Sequence, residues 1–80
     1  MSATVAMLER LAAEPKPFVA VETWRHEDGT IERRDRAPQP RRSMAENGAN
    51  GRRRFIGKVC TVPATGRTAV LLSVDVEERR

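Results

Sequence analysis

The arginines in the middle of the chain are the residues whose type and spacing most clearly suggest a chemical role. Residues 33–54 carry eight arginines and two acidic residues, a net charge of +6, whereas the whole 80-residue chain carries +4. Arginine binds carboxylates and phosphates through a planar fork of N–H donors and stacks on flat groups. The segment therefore predicts a partner-binding surface. Its residues are Arg33, Arg34, Arg36, Arg41, Arg42, Arg52, Arg53 and Arg54, with Trp24 as an arginine-flanked aromatic residue.

Three uses of this basic segment remain open at the level of sequence: a solvated charged loop, a contact surface for another protein, or a contact surface for nucleic acid. Phosphate contacts through these arginines would give an affinity that falls steeply with salt. Binding of single strands usually also needs aromatic side chains on which bases stack. The chain has one Trp, two Phe and no Tyr, so it is poorly equipped for stacking.

The sequence contains no catalytic or metal-binding constellation. A metal site needs three or four ligands at suitable spacing, and the chain offers one histidine, His26, and one cysteine, Cys60. Cys60 falls in a predicted strand opposite Ala69, where a small packed thiol is expected rather than an activated nucleophile. No glycine pattern resembles a phosphate-binding loop. We therefore predict a non-enzymatic protein with no cofactor and no metal.

Length and composition predict one small domain, residues 1–80, with a thin core. A chain of this size buries only about 60% of the surface that its unfolded form exposes. A single cysteine excludes an internal disulfide and fits a reducing compartment. Residues 1–14 are too polar for a signal peptide, and no apolar run approaches the roughly 20 residues that cross a bilayer. We predict a cytoplasmic protein, monomeric or weakly dimeric, without membrane contact.

The first predicted element is an amphipathic helix over residues 2–14. Val5, Leu8 and Leu11 recur at helical spacing and form one apolar stripe. The prolines at 15 and 17 then end the helix and begin an extended segment. We expect the apolar stripe to cover the apolar face of a sheet.

Two β-hairpins are predicted to form that sheet. In the first, Asp28 and Gly29 form a two-residue turn that would place Trp24 opposite Arg33 and leave a charged edge strand. In the second hairpin, residues 63–66 form the loop, and Val62 would pair with Arg67. That register predicts one apolar face, on which Phe55, Gly57 and Val59 lie opposite Val74, Leu72 and Val70.

Residues 37–51, between the hairpins, predict a flexible Arg-rich loop. Pro38 and Pro40 block regular pairing, and two Asn-Gly steps favour turns. Ser43 and Glu46 could cap one helical turn, which Gly48 would soon end. The predicted fold class is therefore α+β: an N-terminal helix packed on a small antiparallel sheet of two β-hairpins, about four strands. Whether the hairpins join into one sheet or curl into a partial barrel is left open.

In its size and its lack of any catalytic constellation, the chain resembles the small inhibitors encoded by phages and mobile elements. Among them it is most similar to the anti-CRISPR proteins that act on type I effector complexes. The resemblance is one of architecture, and because those proteins share no motif, no site residue is carried over. Many of them are acidic mimics of DNA, whereas this chain is basic.

The resemblance implies inhibition by protein–protein contact with a CRISPR effector complex in the host cytoplasm. The contact would fall on acidic patches of the target or beside its nucleic acid. Two alternatives accompany this expectation. One is a small basic regulator that binds DNA or RNA, and the other is a structural or assembly subunit of a mobile element.

Overall fold

A computed structural model describes residues 15–79 of the chain. The strands form one four-stranded antiparallel sheet in the order β2-β1-β4-β3, with one helix packed on it. The predicted α+β class is confirmed, and the two hairpins join into a single sheet because β1 pairs with β4. The elements are β1 Phe18–His26, β2 Ile31–Asp35, α1 Arg42–Arg53, β3 Val59–Thr61 and β4 Thr68–Glu78.

The helix that covers the sheet comes from the segment predicted to be a loop. Residues 42–53 form α1, which follows the first hairpin, so the predicted flexible loop over 37–51 and the predicted placement of the covering helix are wrong. The helix predicted over residues 2–14 lies outside the described residues. The sheet stabilises α1 by packing: Ala45 and Ala49, one turn apart, are 2% and 0% exposed. This burial compensates for two glycines within the helix.

We expect Gly48→Ala to stabilise the protein by about 1 kcal/mol, because glycine is the least favourable helix residue apart from proline. Gly48 lies in the middle of α1 with a negative φ, and a Cβ added there would meet nothing within 4 Å. Urea unfolding followed by circular dichroism measures the change. As a control, Gly29→Ala should destabilise, since Gly29 has a φ of 89°. A loss of stability in Gly48→Ala would contradict the helix.

The first hairpin differs from its predicted register by one residue. Trp24 pairs with Glu32 rather than with Arg33. The loop contains three residues rather than two. The backbone N–H of His26 donates to the carbonyl of Thr30 at 2.8 Å, so the three residues between them form the loop. Gly29, the last loop residue, takes the left-handed conformation that such loops require. The shift places Arg33 and Trp24 on opposite faces of the sheet.

The second hairpin has the predicted register. Val62 donates its backbone N–H to the carbonyl of Arg67 at 2.7 Å, and Cys60 pairs with Ala69. The first strand of this hairpin, β3, is shorter than predicted. It covers only Val59–Thr61, and residues 54–57 form a turn. The turn chemistry of the 63–66 loop therefore determines the pairing, although the pairing extends over few residues.

A β-bulge in β4 reverses part of the predicted apolar face. Thr23 pairs with Ser73 and Trp24 with Leu71, so Leu72 has no partner on β1. The extra residue changes which side of the sheet the following side chains occupy. Leu71 is 0% exposed, whereas Leu72 is 37% exposed.

The core lies between the sheet and α1. Several residues of the predicted apolar face lie on the other side of the sheet. Val74 is buried in the core as predicted, but Val59 is 67% exposed and Leu72 is also exposed. The face that the sequence pattern marked as mixed contributes Leu71 and Ala69 to the core, with Cys60 packed against them. The buried cluster consists of Ala20, Trp24, Ala49, Ala69, Leu71 and Val74, with Phe55, Cys60, Val62 and Val76 packed against it.

Candidate partner-binding site

Several of the predicted binding arginines are already paired with acidic residues of the same chain. Arg34 donates to Glu32, two positions earlier on the same strand, at 3.0 Å. Arg53 donates to Glu46 at 3.2 Å and to the backbone carbonyl of Val74 at 3.0 Å, so it joins α1 to β4. The charge of these two arginines is therefore largely balanced within the chain.

Arg33 belongs to an ion network on the face of the sheet opposite α1. It pairs with Glu77, and Arg79 pairs with both Glu77 and Asp35, so the network joins β2 to β4 across β1. Hydrogen bonds from Arg79, and then from Arg33, lower the pKa of Glu77. The hydrogen bond from Arg79 likewise lowers the pKa of Asp35. Val21, the residue of β1 between these strands, is 1% exposed.

Trp24 lies in the core rather than at the surface. It is 8% exposed, and its indole Nε1 donates to Oε1 of Glu22 at 3.0 Å. Glu22 is itself 1% exposed, and its other oxygen accepts a hydrogen bond of 2.6 Å from Nε of Arg52. Nε of Arg36 lies 4.0 Å from that same oxygen. A buried carboxylate thus brings together two predicted binding arginines from different parts of the chain.

Phe55 gathers a further set of cations. The guanidinium carbons of Arg52 and Arg54 each lie 5.3 Å from the centre of its ring, and the ammonium of Lys58 lies 5.6 Å from it. Contacts of this length between a cation and an aromatic face are favourable. We call Glu22, Phe55 and their four neighbouring cations (Arg36, Arg52, Arg54 and Lys58) the Phe55 cluster.

The Phe55 cluster has an excess of positive charge. Within residues 15–79, Glu22 is the one acidic side chain that forms an ion pair with any of its four cations, which gives the cluster a net charge of +3. Arg54 and Lys58 form no ion pair with any residue of that described range. Their charge is therefore available to a partner.

A groove of about 530 Å³ runs beside α1 and reaches the Phe55 cluster. Arg36, Arg52 and Arg54 line it together with Phe55, and Met44, which is 47% exposed, lines it as well. The rest of the lining is small or polar and uncharged: Ala20, Ala37, Gln39, Ala45, Asn47, Gly48 and Gly51. The groove combines cationic side chains with a wall along which a polypeptide backbone can approach closely.

Arg41 and Arg42 lie at the other end of α1. Arg41 is the N-cap residue and makes no capping hydrogen bond with its side chain. The Arg42 guanidinium stacks on Phe18 at 5.2 Å and lies 3.9 Å from Glu78. Because Arg42 and Arg52 lie at opposite ends of α1, about 15 Å apart along its axis, the helix divides the predicted arginine surface into separate regions.

Three members of the Phe55 cluster were not among the residues predicted from the sequence: Glu22, Phe55 and Lys58. A signal was available for two of them, because Phe55 follows three consecutive arginines and Lys58 lies three positions further on. Nothing local indicates that Glu22 holds Arg52, which is 30 residues away in the sequence.

No group of three or more His, Cys, Asp or Glu side chains in the described part of the chain is arranged to hold a metal ion. Of the helices between residues 15 and 79, none is long and apolar enough to span a membrane. No known protein family, curated protein or solved structure matches the chain. Arguments about function therefore rest on the Phe55 cluster and the groove.

Proposed function

We propose that the protein is a small non-enzymatic binding protein that acts by protein–protein contact and engages an acidic patch of its partner through the Phe55 cluster. The observation that carries this proposal is the net charge of +3 within the cluster, counted over residues 15–79. Complementary charge across an interface accelerates encounter and discriminates against wrong partners. The exposed cations Arg54 and Lys58 provide that charge.

The state of the aromatic rings favours an acidic protein over a nucleic acid. Trp24 is buried. Phe18 is stacked by Arg42, and Phe55 is surrounded by cations. In the described structure, every aromatic ring is thus already engaged, whereas single-strand binding depends on rings that are free to stack on bases. Arg33, Arg34 and Arg53 are held by carboxylates of this chain, which reduces the number of phosphate contacts available.

Within this class we propose an inhibitor of the kind encoded by phages and mobile elements. The support is the architectural resemblance to anti-CRISPR proteins, together with the small α+β fold and the cationic surface described above. A type I CRISPR effector complex is accordingly the first partner to test. Inhibition would follow from occupation of an acidic surface on that complex.

Binding to a purified type I effector complex, measured by biolayer interferometry at near-physiological salt, tests this function. The double variant Arg54→Ala/Lys58→Ala removes two charges from the Phe55 cluster and should weaken binding by about tenfold or more. The double variant Arg25→Ala/Arg67→Ala removes two charges from the hairpin end of the sheet. This matched control should change affinity by less than about threefold.

Fluorescence anisotropy with labelled duplex DNA, single-stranded DNA and RNA completes the test. We expect binding at low salt that disappears near physiological salt, since few phosphate contacts are available. Micromolar or tighter binding to bare nucleic acid at the higher salt, lost in Arg54→Ala/Lys58→Ala, would overturn the proposal in favour of a nucleic-acid regulator.

A further inference from the structure

Arg52 is held in place on two sides by its own chain. Its Nε donates to the buried Glu22 at 2.6 Å, and its guanidinium lies over Phe55 at 5.3 Å. Glu22 is in turn fixed by the indole N–H of Trp24 at 3.0 Å. The rotamer freedom of Arg52 is therefore lost during folding and not during binding, which favours the affinity of any ligand that uses this side chain.

The contact with Glu22 leaves the end of the Arg52 guanidinium available. Arginine carries five N–H donors, and Nε alone donates to Glu22. Among residues 15–79, no acceptor receives a hydrogen bond from the two terminal nitrogens, Nη1 and Nη2. The side chain is still 32% exposed. Two parallel N–H groups at the end of a guanidinium match the two oxygens of a carboxylate.

The groove beside α1 extends from Arg52 along a wall of small residues. At Gly48 and Gly51, a Cβ would meet nothing within 4 Å, so the space above both positions is open. Asn47 and Gln39 line the groove with side-chain amides that can hydrogen-bond to a peptide backbone. Met44 lines it with an exposed thioether, which adapts to varied apolar side chains.

We infer that this groove binds a short acidic segment of the protein partner and that Arg52 takes one carboxylate of that segment through its terminal nitrogens. The inference rests on the proposed function and adds the chemistry of the ligand and the residue that anchors it. Arg36 and Arg54 line the same groove and supply the charge that draws an acidic segment into it. Glu22 is a positioning residue, because it acts through Arg52.

The test uses a fluorescein-labelled peptide of alternating Glu and Gly and a matched peptide of alternating Gln and Gly, with binding followed by anisotropy. The wild-type protein should bind the Glu peptide and not the Gln peptide. Arg52→Lys keeps the charge but lacks the planar fork, so affinity should fall by about tenfold or more. Arg25→Lys makes the same change outside the groove and is the matched control, and its affinity should change by less than about threefold.

Gly48→Leu tests the groove without altering any cation. Leucine favours helix, and the space above Gly48 is open. The variant should therefore fold with unchanged circular dichroism and lose binding of the Glu peptide by about tenfold or more. It separates loss of the site from loss of the fold, which matters because Arg52→Lys also weakens the contact with Glu22.

Each outcome decides between the two proposals. Equal binding of the Glu peptide by wild type, Arg52→Lys and Gly48→Leu would overturn the groove site and leave the proposed function intact. The groove site would also be overturned, with the proposed function intact, if the effector complex binds through the Phe55 cluster while the Glu peptide does not bind at all. Tighter binding of oligothymidine than of the Glu peptide at near-physiological salt would overturn the carboxylate assignment. Failure of both the peptide and the effector complex to bind would overturn both proposals.

Discussion

Replacing Leu71 by alanine is expected to lower the free energy of unfolding by about 3 kcal/mol, within the range of about 2 to 5 observed for buried leucines. Leu71 is 0% exposed and lies opposite Trp24 in the core between the sheet and α1. A domain of this size is stable by only a few kcal/mol, so a substantial fraction of the variant should unfold at ordinary temperature. Urea unfolding followed by the fluorescence of Trp24, the single tryptophan, measures the loss.

Leu72→Ala is the matched control for this prediction, because it makes the same chemical change at the next position of β4. Leu72 is the bulged residue and is 37% exposed, so its replacement should cost less than about 1 kcal/mol. The regular alternation expected from the sequence places Leu72 in the core and predicts the opposite order. A larger loss in Leu72→Ala than in Leu71→Ala would therefore contradict the bulge.

Glu22→Ala is expected to destabilise the protein by about 2 to 3 kcal/mol. The carboxylate is 1% exposed and accepts hydrogen bonds from both Trp24 and Arg52. Its removal leaves a buried indole N–H without its acceptor and a partly buried guanidinium without its counter-ion. The loss should be smaller than for a fully buried pair, since Arg52 is 32% exposed and can turn toward water. Urea unfolding with Trp24 fluorescence again gives the value.

Glu46→Ala serves as the control for Glu22→Ala. Glu46 also pairs with an arginine, Arg53, at 3.2 Å, but its side chain is 39% exposed. An exposed ion pair contributes between zero and about 1 kcal/mol, so the control should differ little from the wild type. Equal losses in the two variants would show that burial of the Glu22 carboxylate between β1 and α1 carries no particular weight in the stability.

The local turn chemistry of the sequence was sufficient to predict the hairpins. The segment 63–66, with proline at its start and glycine at its end, specified the pairing of Val62 with Arg67 that the structure contains. Asp28-Gly29 located the first turn correctly, although not its length, because Gly29 closes a three-residue loop. Turn residues act through their own backbone conformation, so their effect can be read without knowledge of the rest of the chain.

The position of the helix could not be predicted in the same way. Two glycines and two asparagines lower the helix propensity of the 42–53 segment, and the sequence pattern therefore indicates a loop. Ala45 and Ala49 form the buried face of α1 against the sheet, and that contact exists only once the sheet has formed. Burial against β1 and β4 outweighs the local preference.

The sequence by itself determined an α+β chain with two antiparallel hairpins and an arginine-rich middle segment. Only the tertiary structure decided which arginines stay available to a partner. Arg33 meets Glu77 across 44 positions, and Arg52 meets Glu22 across 30, whereas Arg54 meets no acidic residue within residues 15–79. The physical reason is that charge is counted along the chain, but its neutralisation depends on distances that folding alone creates.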